Sequence, residues 1–348
     1  MGLKKYSYLL ACSALLLVGC GDKEEAQEEV AETEETVPVT VTEEVELPYV
    51  TPFTGENVAN EISMRPIIAT INNHPKARPQ SGIGSADVIY EMLAEGDVTR
   101  LLGLFQTEIP DQIGPIRSAR DYFIEIAEGL DAFYIAHGYS PEAQTMLMNG
   151  VVDHINGMAY DGTIFKRSSN RVAPHNSYIP GENIELGAEK VNASLLYQKK
   201  VSYTFYEPEE NVKMGLEANT VTINYGGSDS FNSTYTFNPE TQSYSRESGS
   251  VETIDDLTNE PIALSNVLFF EMDHSIIDSE GRREIDITSG GTAYLFQNGM
   301  MREVSWENVE GILKAVEVDG SDVKLVPGQT WIHFVPKNPG IVSSVKFS

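Results

Sequence analysis

The sequence predicts an α+β protein, with a mixed α/β-type segment over residues 56–200 and a mainly antiparallel, all-β segment over residues 205–345. Three observations carry this. Apolar strand-like runs alternate with capped helical stretches between residues 65 and 192. From residue 220 to 335, short strand-like runs follow one another with turn signals between them. The chain has 348 residues, 41% of them hydrophobic, enough at roughly 150 residues per domain for two cores.

The segments before residue 56 are of another kind. Lys4 and Lys5 precede an apolar stretch, residues 6–16 (YSYLLACSALL), which ends in Leu17-Val18-Gly19-Cys20. This is the layout of a lipoprotein export signal over residues 1–20, in which the cysteine carries the lipid. The apolar run is too short for a membrane-spanning helix, which needs about 20 residues. Acyl chains on Cys20, a diacylglycerol with or without an added palmitate, would hold the protein on the membrane. Residues 21–55 read as a tether, crowded with Glu and Asp between Asp22 and Glu46, where Lys23 is the only base. Such a run repels itself and has too little apolar area to fold. A polar helix over 24–36 is the competing reading.

Within the first segment, residues 65–71 (RPIIATI) read as a buried strand cut by Asn72-Asn73-His74-Pro75. Two prolines and two glycines make 74–84 a loop. Residues 87–94 and 98–106 flank Glu95-Gly96-Asp97 as a hairpin, with a helix over 86–95 as the alternative. Ser118 reads as the N-cap of a helix running to about Gly129, with Asp121 three residues on as in a capping box. Residues 131–136 form a strand. Ser140-Pro141 opens a further helix, Ser at the cap and Pro at its first position. Residues 151–180 are loop-rich, and 182–192 suit a short helix. In the second segment the strands are expected at 220–225, 233–238, 265–271, 283–288, 292–297, 301–306, 312–318 and 329–335. Asn298-Gly299 and Asp319-Gly320 are tight-hairpin signals. Strands at this spacing suggest a sandwich or partly open barrel.

Composition narrows the function. With 52 acids against 24 bases the formal charge is −28, which argues against nucleic acid as a partner, since that needs a basic face, although an acidic surface can still carry a local basic pocket. If Cys12 leaves with the signal and Cys20 takes the lipid, no thiol remains for a disulfide, a thiolate metal site or a cysteine nucleophile. No cofactor is expected.

The polar residues of the first segment gather where strands end, the edge at which open α/β sheets bind ligands. Arg117 and Arg120 bracket an expected helix N-terminus. Guanidiniums there would suit a carboxylate or phosphate, and the competing reading pairs them with Glu91, Glu95, Asp97 or Asp121. The ligand-binding candidates are Asn73, His74, Arg100, Arg117, Arg120, Arg171, His175 and Asn176. The candidate acid–base residues are Glu91, Glu95, Asp121, His137 and His175. On a strand, Glu91 and Glu95 lie about 13 Å apart, beyond the reach of paired glycosidase carboxylates. His74, His137 and His175 could in principle hold a metal, but no HExxH or HxH spacing supports one, and none is expected. Ser118 and Ser140 lack a GxSxG elbow. Trp306, Trp331, His274 and His333 read as core or surface contacts without chemistry.

Four stretches, IIATINNHPKARPQSGI, ADVIYEMLAEGDVTRLLGLFQ, IGPIRSARDYF and RVAPHNSY, follow a lipobox in that order. TAYLFQNGMMREVSWE and LVPGQTWIHFVP come after them. Together they resemble the YerB-like lipoproteins, Gram-positive surface lipoproteins defined by a domain of unknown function. The likeness spans nearly all of residues 60–337. It departs at GYSPEA after His137, where a small-residue loop is the pattern. The resemblance implies a lipid-anchored protein on the extracytoplasmic face of the cell membrane and a two-domain layout, but no reaction. The residues themselves support a binder of an anionic envelope ligand, such as a cell-wall fragment, or of an envelope protein. In that reading Arg100, Arg117 and Arg120 hold the anion and His74, His137 and His175 orient it. A hydrolase of wall polymer and a structural scaffold are the alternatives.

Overall fold

The computed structural model describes residues 47–207, 210 and 213–348. The export signal, Cys20 and the acidic part of the tether lie outside them. Among the described residues no helix is long and apolar enough to cross a membrane.

The first segment contributes strands β1 (Ile67–Asn72), β2 (Val88–Glu95), β3 (Val98–Phe105), β4 (Phe133–Ala136) and β5 (His154–Asn156). Its main helices are α1 (Asp121–Gly129), α2 (Pro141–Met148) and α3 (Glu182–Lys190). The second contributes β6 (Thr220–Ile223), β7 (Ser233–Asn238), β8 (Ser243–Ser248), β9 (Asn266–Met272), β10 (Gly291–Gln297), β11 (Met300–Val309), β12 (Ile312–Val316), β13 (Thr330–Pro336) and β14 (Val345–Phe347). This mixture, mostly sheet with few helices, agrees with the α+β expectation.

Helix boundaries follow local chemistry. Ser140 caps α2, its hydroxyl accepting from the Ala143 amide, and Pro141 occupies the first turn. At α1 the expected cap is wrong. Arg120 stands at the N-cap with no side-chain cap bond, while the Ser118 hydroxyl donates to the His137 carbonyl. Asn298 and Gly299 both take positive φ between β10 and β11, as a two-residue hairpin turn requires.

An eleven-stranded sheet runs Leu216–Glu217, β11, β10, β9, β13, β2, β3, β1, β4, β5, with β12 paired to β11. It crosses the sequence boundary expected near residues 200–205, because β13 pairs in parallel with β2, placing His333 opposite Glu91. A second sheet of five strands, Val251–Glu252, β8, β7, β6 and β14, holds the remaining long strands of the second segment.

Both faces of the large sheet are covered, so its central strands read as unbroken apolar runs rather than alternating ones. Tyr90, Met92, Ile332 and Phe334 pack on one face with Tyr122, Phe123 and Ile126 of α1. Ile89, Trp331 and Val335 pack on the other with Ile223, Tyr235 and Tyr244 of the five-stranded sheet. The residues between these sheets include Glu91 and His333, both fully buried.

Candidate functional site

Strands β1, β4 and β5 run parallel to one another, with α2 linking β4 to β5. Their carboxyl ends carry Asn72-Asn73-His74, His137 and Asn156 along one edge, where polar groups can face a ligand without interrupting the sheet. The Gly114–Ile116 stretch runs beside β1, with Ile116 bridged to Ile71 and the Arg117 amide bonded to the Thr70 carbonyl at 2.8 Å. This brings Arg117 to the same edge. The loop ending in Pro174 and His175 closes over it, the Arg117 guanidinium donating to the Pro174 carbonyl at 3.4 Å.

Here the histidines have a defined state. The Asn72 side-chain oxygen accepts from the His74 amide at 2.9 Å, so its NH₂ group is the one aimed at His175 Nδ1, also at 2.9 Å. His175 Nδ1 is therefore an acceptor, and its proton sits on Nε2. His74 Nδ1 accepts from the Lys76 amide at 3.1 Å, which again leaves Nε2–H as the donor. The two rings stack with centroids 4.6 Å apart. Burial first, then neighbouring cations, hold both imidazoles below their usual pKa: Lys76, Arg78 and Arg117 act on His74, and His74, Arg117, Lys76 and Arg171 on His175. Arg117 is itself pulled down to about 10 by burial, with Arg100 adding to the effect. It forms no ion pair among the described residues. In a chain with 52 acids, this is a cluster of donors and cations without a carboxylate.

The other arginines expected to hold an anion are engaged internally, although the Arg120 Nε is buried without an acceptor. Arg100 reaches both oxygens of Glu95 at 2.7 Å and the Ser118 carbonyl at 2.8 Å. Arg120 pairs with the same carboxylate and donates to the Ala119 carbonyl. Arg171 ties two loop carbonyls, of Ala77 and Pro79. Asn176 accepts from Arg167 at 3.1 Å and donates to the Ser168 carbonyl. Asn73 is fully buried and belongs to a different network.

That network centres on Glu91. Its Oε1 accepts from Asn73 at 3.0 Å and Thr99 at 2.8 Å. Its Oε2 accepts from Arg246 at 2.8 Å and Trp331 at 3.1 Å. Arg246 continues to Ser233, Thr253 and Tyr235, and its guanidinium lies 4.3 Å from the Trp331 ring centroid. His333 bridges Tyr225 and Tyr235 and stacks on Phe269. Burial would raise the Glu91 pKa, but Arg246, the Thr99 hydroxyl and Arg78 outweigh it and hold the carboxyl below its usual range. A carboxylate with every lone pair engaged between two sheets is a structural anchor. It is not placed to exchange a proton with a substrate. Arg246, whose partner lies 155 residues earlier, had no signal in the sequence that could have found it.

Two further constellations resemble catalytic ones. His137 Nδ1 lies 2.7 Å from Ser177 Oγ, and Arg167 Nη2 lies 3.0 Å from His137 Nε2. Arginine can only donate, so Nε2 is the acceptor and Nδ1 carries the proton, which it gives to Ser177. The imidazole is thus turned the wrong way to activate that serine as a nucleophile. Arg167 is held by both oxygens of Asp161. Asp121, at the start of α1, lines a separate groove with Glu125, His274, Glu284 and Asp286, and burial raises its pKa. Among the described residues no His, Cys, Asp and Glu group is arranged to hold a metal.

The chain matches two family models in succession. The N-terminal domain of a protein of unknown function (DUF3048) matches residues 53–194, and the corresponding C-terminal domain matches residues 221–332. A Bacillus subtilis (strain 168) protein named "Putative lipoprotein YerB" is 39% identical over 287 residues, 82% of this chain and 86% of that protein. The crystal structure of YerB from Bacillus subtilis superposes with a TM-score of 0.79 at 37% identity, covering 86% of this chain and 99% of the other. On this evidence the chain belongs to the YerB-like family built from the two DUF3048 domains.

Proposed function

We propose that this protein is a lipoprotein anchored through Cys20 to the extracytoplasmic face of the cell membrane, and that it binds an anionic envelope ligand at Arg117, His74 and His175. The anchor rests on the lipobox and on the lipoprotein name of its relative. The observation that carries the binding reading is the donor cluster itself. A partly buried guanidinium and two imidazole Nε2–H groups meet at one sheet edge with no carboxylate among them. Carboxylate and phosphate oxygens are acceptors that such a set fits, and an arginine fork adds bidentate geometry. Lys76 and Arg171 add positive field. The ligand class is the carboxylate of a peptidoglycan stem or the phosphate of a wall polymer.

The test is a thermal-shift and calorimetric screen of the protein against muropeptides, teichoic-acid fragments, phosphate and citrate, repeated on Arg117→Gln. A ligand at 100 times its Kd adds about 2.7 kcal/mol of stability. The expected result is a ligand whose effect disappears in the variant while the unliganded melting temperature stays put, since Arg117 has no ion pair to lose. A ligand that binds both forms equally would place recognition elsewhere.

A further inference from the structure

A second feature, built on different residues, begins in the chain directly after His74. The 3₁₀ turn Pro75–Ala77 and the following Arg78-Pro79-Gln80 approach the edge of the five-stranded sheet at residues 251–254, enclosing a cavity of about 190 Å³. On that measure a single water needs only about 10–15 Å³, so the space admits a small oxyanion or the acidic end of a larger molecule. Arg78 and Arg246 both line it.

The bonding of Arg78 is incomplete. Its Nε donates to the Asn73 side-chain oxygen at 3.2 Å, and Nη1 donates to the Ser248 carbonyl at 3.3 Å. Both acceptors are neutral, and the Asn73 oxygen is shared with Gln80. The Nη2 group is buried with no hydrogen-bond acceptor, and the guanidinium's remaining contact is the Phe231 ring, 5.7 Å from its central carbon. Most buried side-chain donors are satisfied, and leaving one unmade costs more than an average bond contributes.

The charge count is also incomplete. Two guanidiniums, Arg78 and Arg246, share one buried carboxylate, Glu91, which bonds directly only to Arg246. His333 beside them is neutral, its pKa pressed down to about 3 by burial, with Glu91 opposing and Arg246 assisting. One positive charge is therefore left over. Glu252 lines the cavity but is solvent-exposed and forms no ion pair among the described residues. Burial, then Arg246, draws Arg78 down to about 10, with only Glu91 acting the other way.

We propose that this cavity is a second anion site, in which Arg78 receives one carboxylate or phosphate group, either as a free small anion or as part of an acidic polymer. It does not depend on the Arg117 cluster. His74 feels both Arg78 and Arg117, so both sites lie within electrostatic reach of it, and a ligand carrying two acidic groups could occupy both.

The experiment is isothermal titration of the protein with inorganic phosphate and, separately, with a glycerol-phosphate oligomer, on the unmodified protein, Arg78→Gln and Arg117→Gln. Two binding events are expected in the unmodified protein. Arg78→Gln should abolish one or weaken it at least tenfold, and Arg117→Gln should leave that same event in place. Loss with both probes shows that the cavity takes the anion whatever carries it, and loss with the oligomer alone assigns it to a polymer track. Binding of both probes that Arg78→Gln does not change overturns the proposal. If instead Arg117→Gln changes nothing while Arg78→Gln removes an event, the Arg117 reading falls and this one stands. Should Arg78→Gln not fold, crystals of the unmodified protein grown in bromide decide the matter. An anomalous peak between Arg78 and residues 251–254 is expected, and its absence refutes the site.

Discussion

Replacing Glu91 with Gln should unfold the joint between the two sheets rather than disable a reaction. Glu91 is fully buried and accepts four hydrogen bonds, two on each oxygen. A glutamine must turn its NH₂ toward one of those pairs. Toward Arg246 and Trp331 it meets two obligatory donors. Toward Asn73 and Thr99 it meets the Asn73 NH₂, which cannot reverse because the Asn73 oxygen already accepts from Arg78 and Gln80. In either orientation Arg246, itself 1% exposed, is left without its counter-charge. Breaking a buried pair in this way costs about 3–5 kcal/mol. With about 2.1 cal/mol/K of unfolding entropy per residue, the compact unit Val45–Ser348 should melt about 5–8 °C lower. Differential scanning calorimetry measures this. Glu91→Gln combined with Arg246→Met removes both charges and should cost less than the two single changes added together, by up to about 3 kcal/mol. A Glu91→Gln protein that melts within about 1 °C of the original would refute the anchor role, and if it had also lost a hydrolytic activity it would revive Glu91 as an acid–base residue.

Glu95 should behave similarly but less severely. It pairs with both Arg100 and Arg120 while remaining 27% exposed, so Glu95→Gln should destabilise by about 2–4 kcal/mol in urea titration, and no measurable change would contradict the shared pairing. Anion binding at the Arg117 cluster should tighten on acidification. Burial and the surrounding cations depress His74 and His175 in the free protein, and a bound anion favours a second proton on each ring, at the expense of the Nδ1 bonds from Lys76 and Asn72. Titrations with sulfate, whose own charge is constant, should show affinity rising from about pH 7.5 to 5.5, and a flat profile would remove the histidines from the site.

Stability should move the opposite way. The folded-state pKa is about 3 for His333 and about 4 for His274, so between pH 6 and 4 the unfolded chain holds two protons the folded one lacks. Asp87, raised to about 6, holds one proton more in the folded state over the same range. The net difference is one proton, and stability should fall by about 1.4 kcal/mol per pH unit as pH drops through this window. His74, His137 and His175, also depressed, steepen the fall, and Asp121 and Glu125, whose carboxyls burial raises, moderate it. Chemical denaturation at pH 6 and pH 4 checks the sign, and greater stability at pH 4 would refute it.

Much of the local structure was legible from residue order. The hairpin around Gly96, the Ser140-Pro141 helix start, the Asn298-Gly299 turn and the eight strands expected in the second segment depend on near neighbours: turn φ values, caps and apolar periodicity; β8, which carries Arg246, and β14 are not among those expected. The gathering of Asn72, His74, Arg117, His137 and His175 at strand ends was legible too, since each follows an apolar run or a proline-rich turn. Which arginine lacks a partner was not. Arg100, Arg117 and Arg120 look alike in sequence, and only the hairpin that brings Glu95 to Arg100 and Arg120 separates them. Glu91 looked like a candidate acid because nothing near it in sequence announces Arg246 or Trp331. Likewise, a boundary near residue 200 divides the chain by composition, while hydrogen bonding between β2 and β13 joins it. Local propensities act over a few residues, so sequence by itself determined the elements and the polar edge. Contacts such as Glu91 with Arg246 and Trp331 span 150 or more residues, and only the tertiary structure decides which ions are paired and which remain open for a ligand.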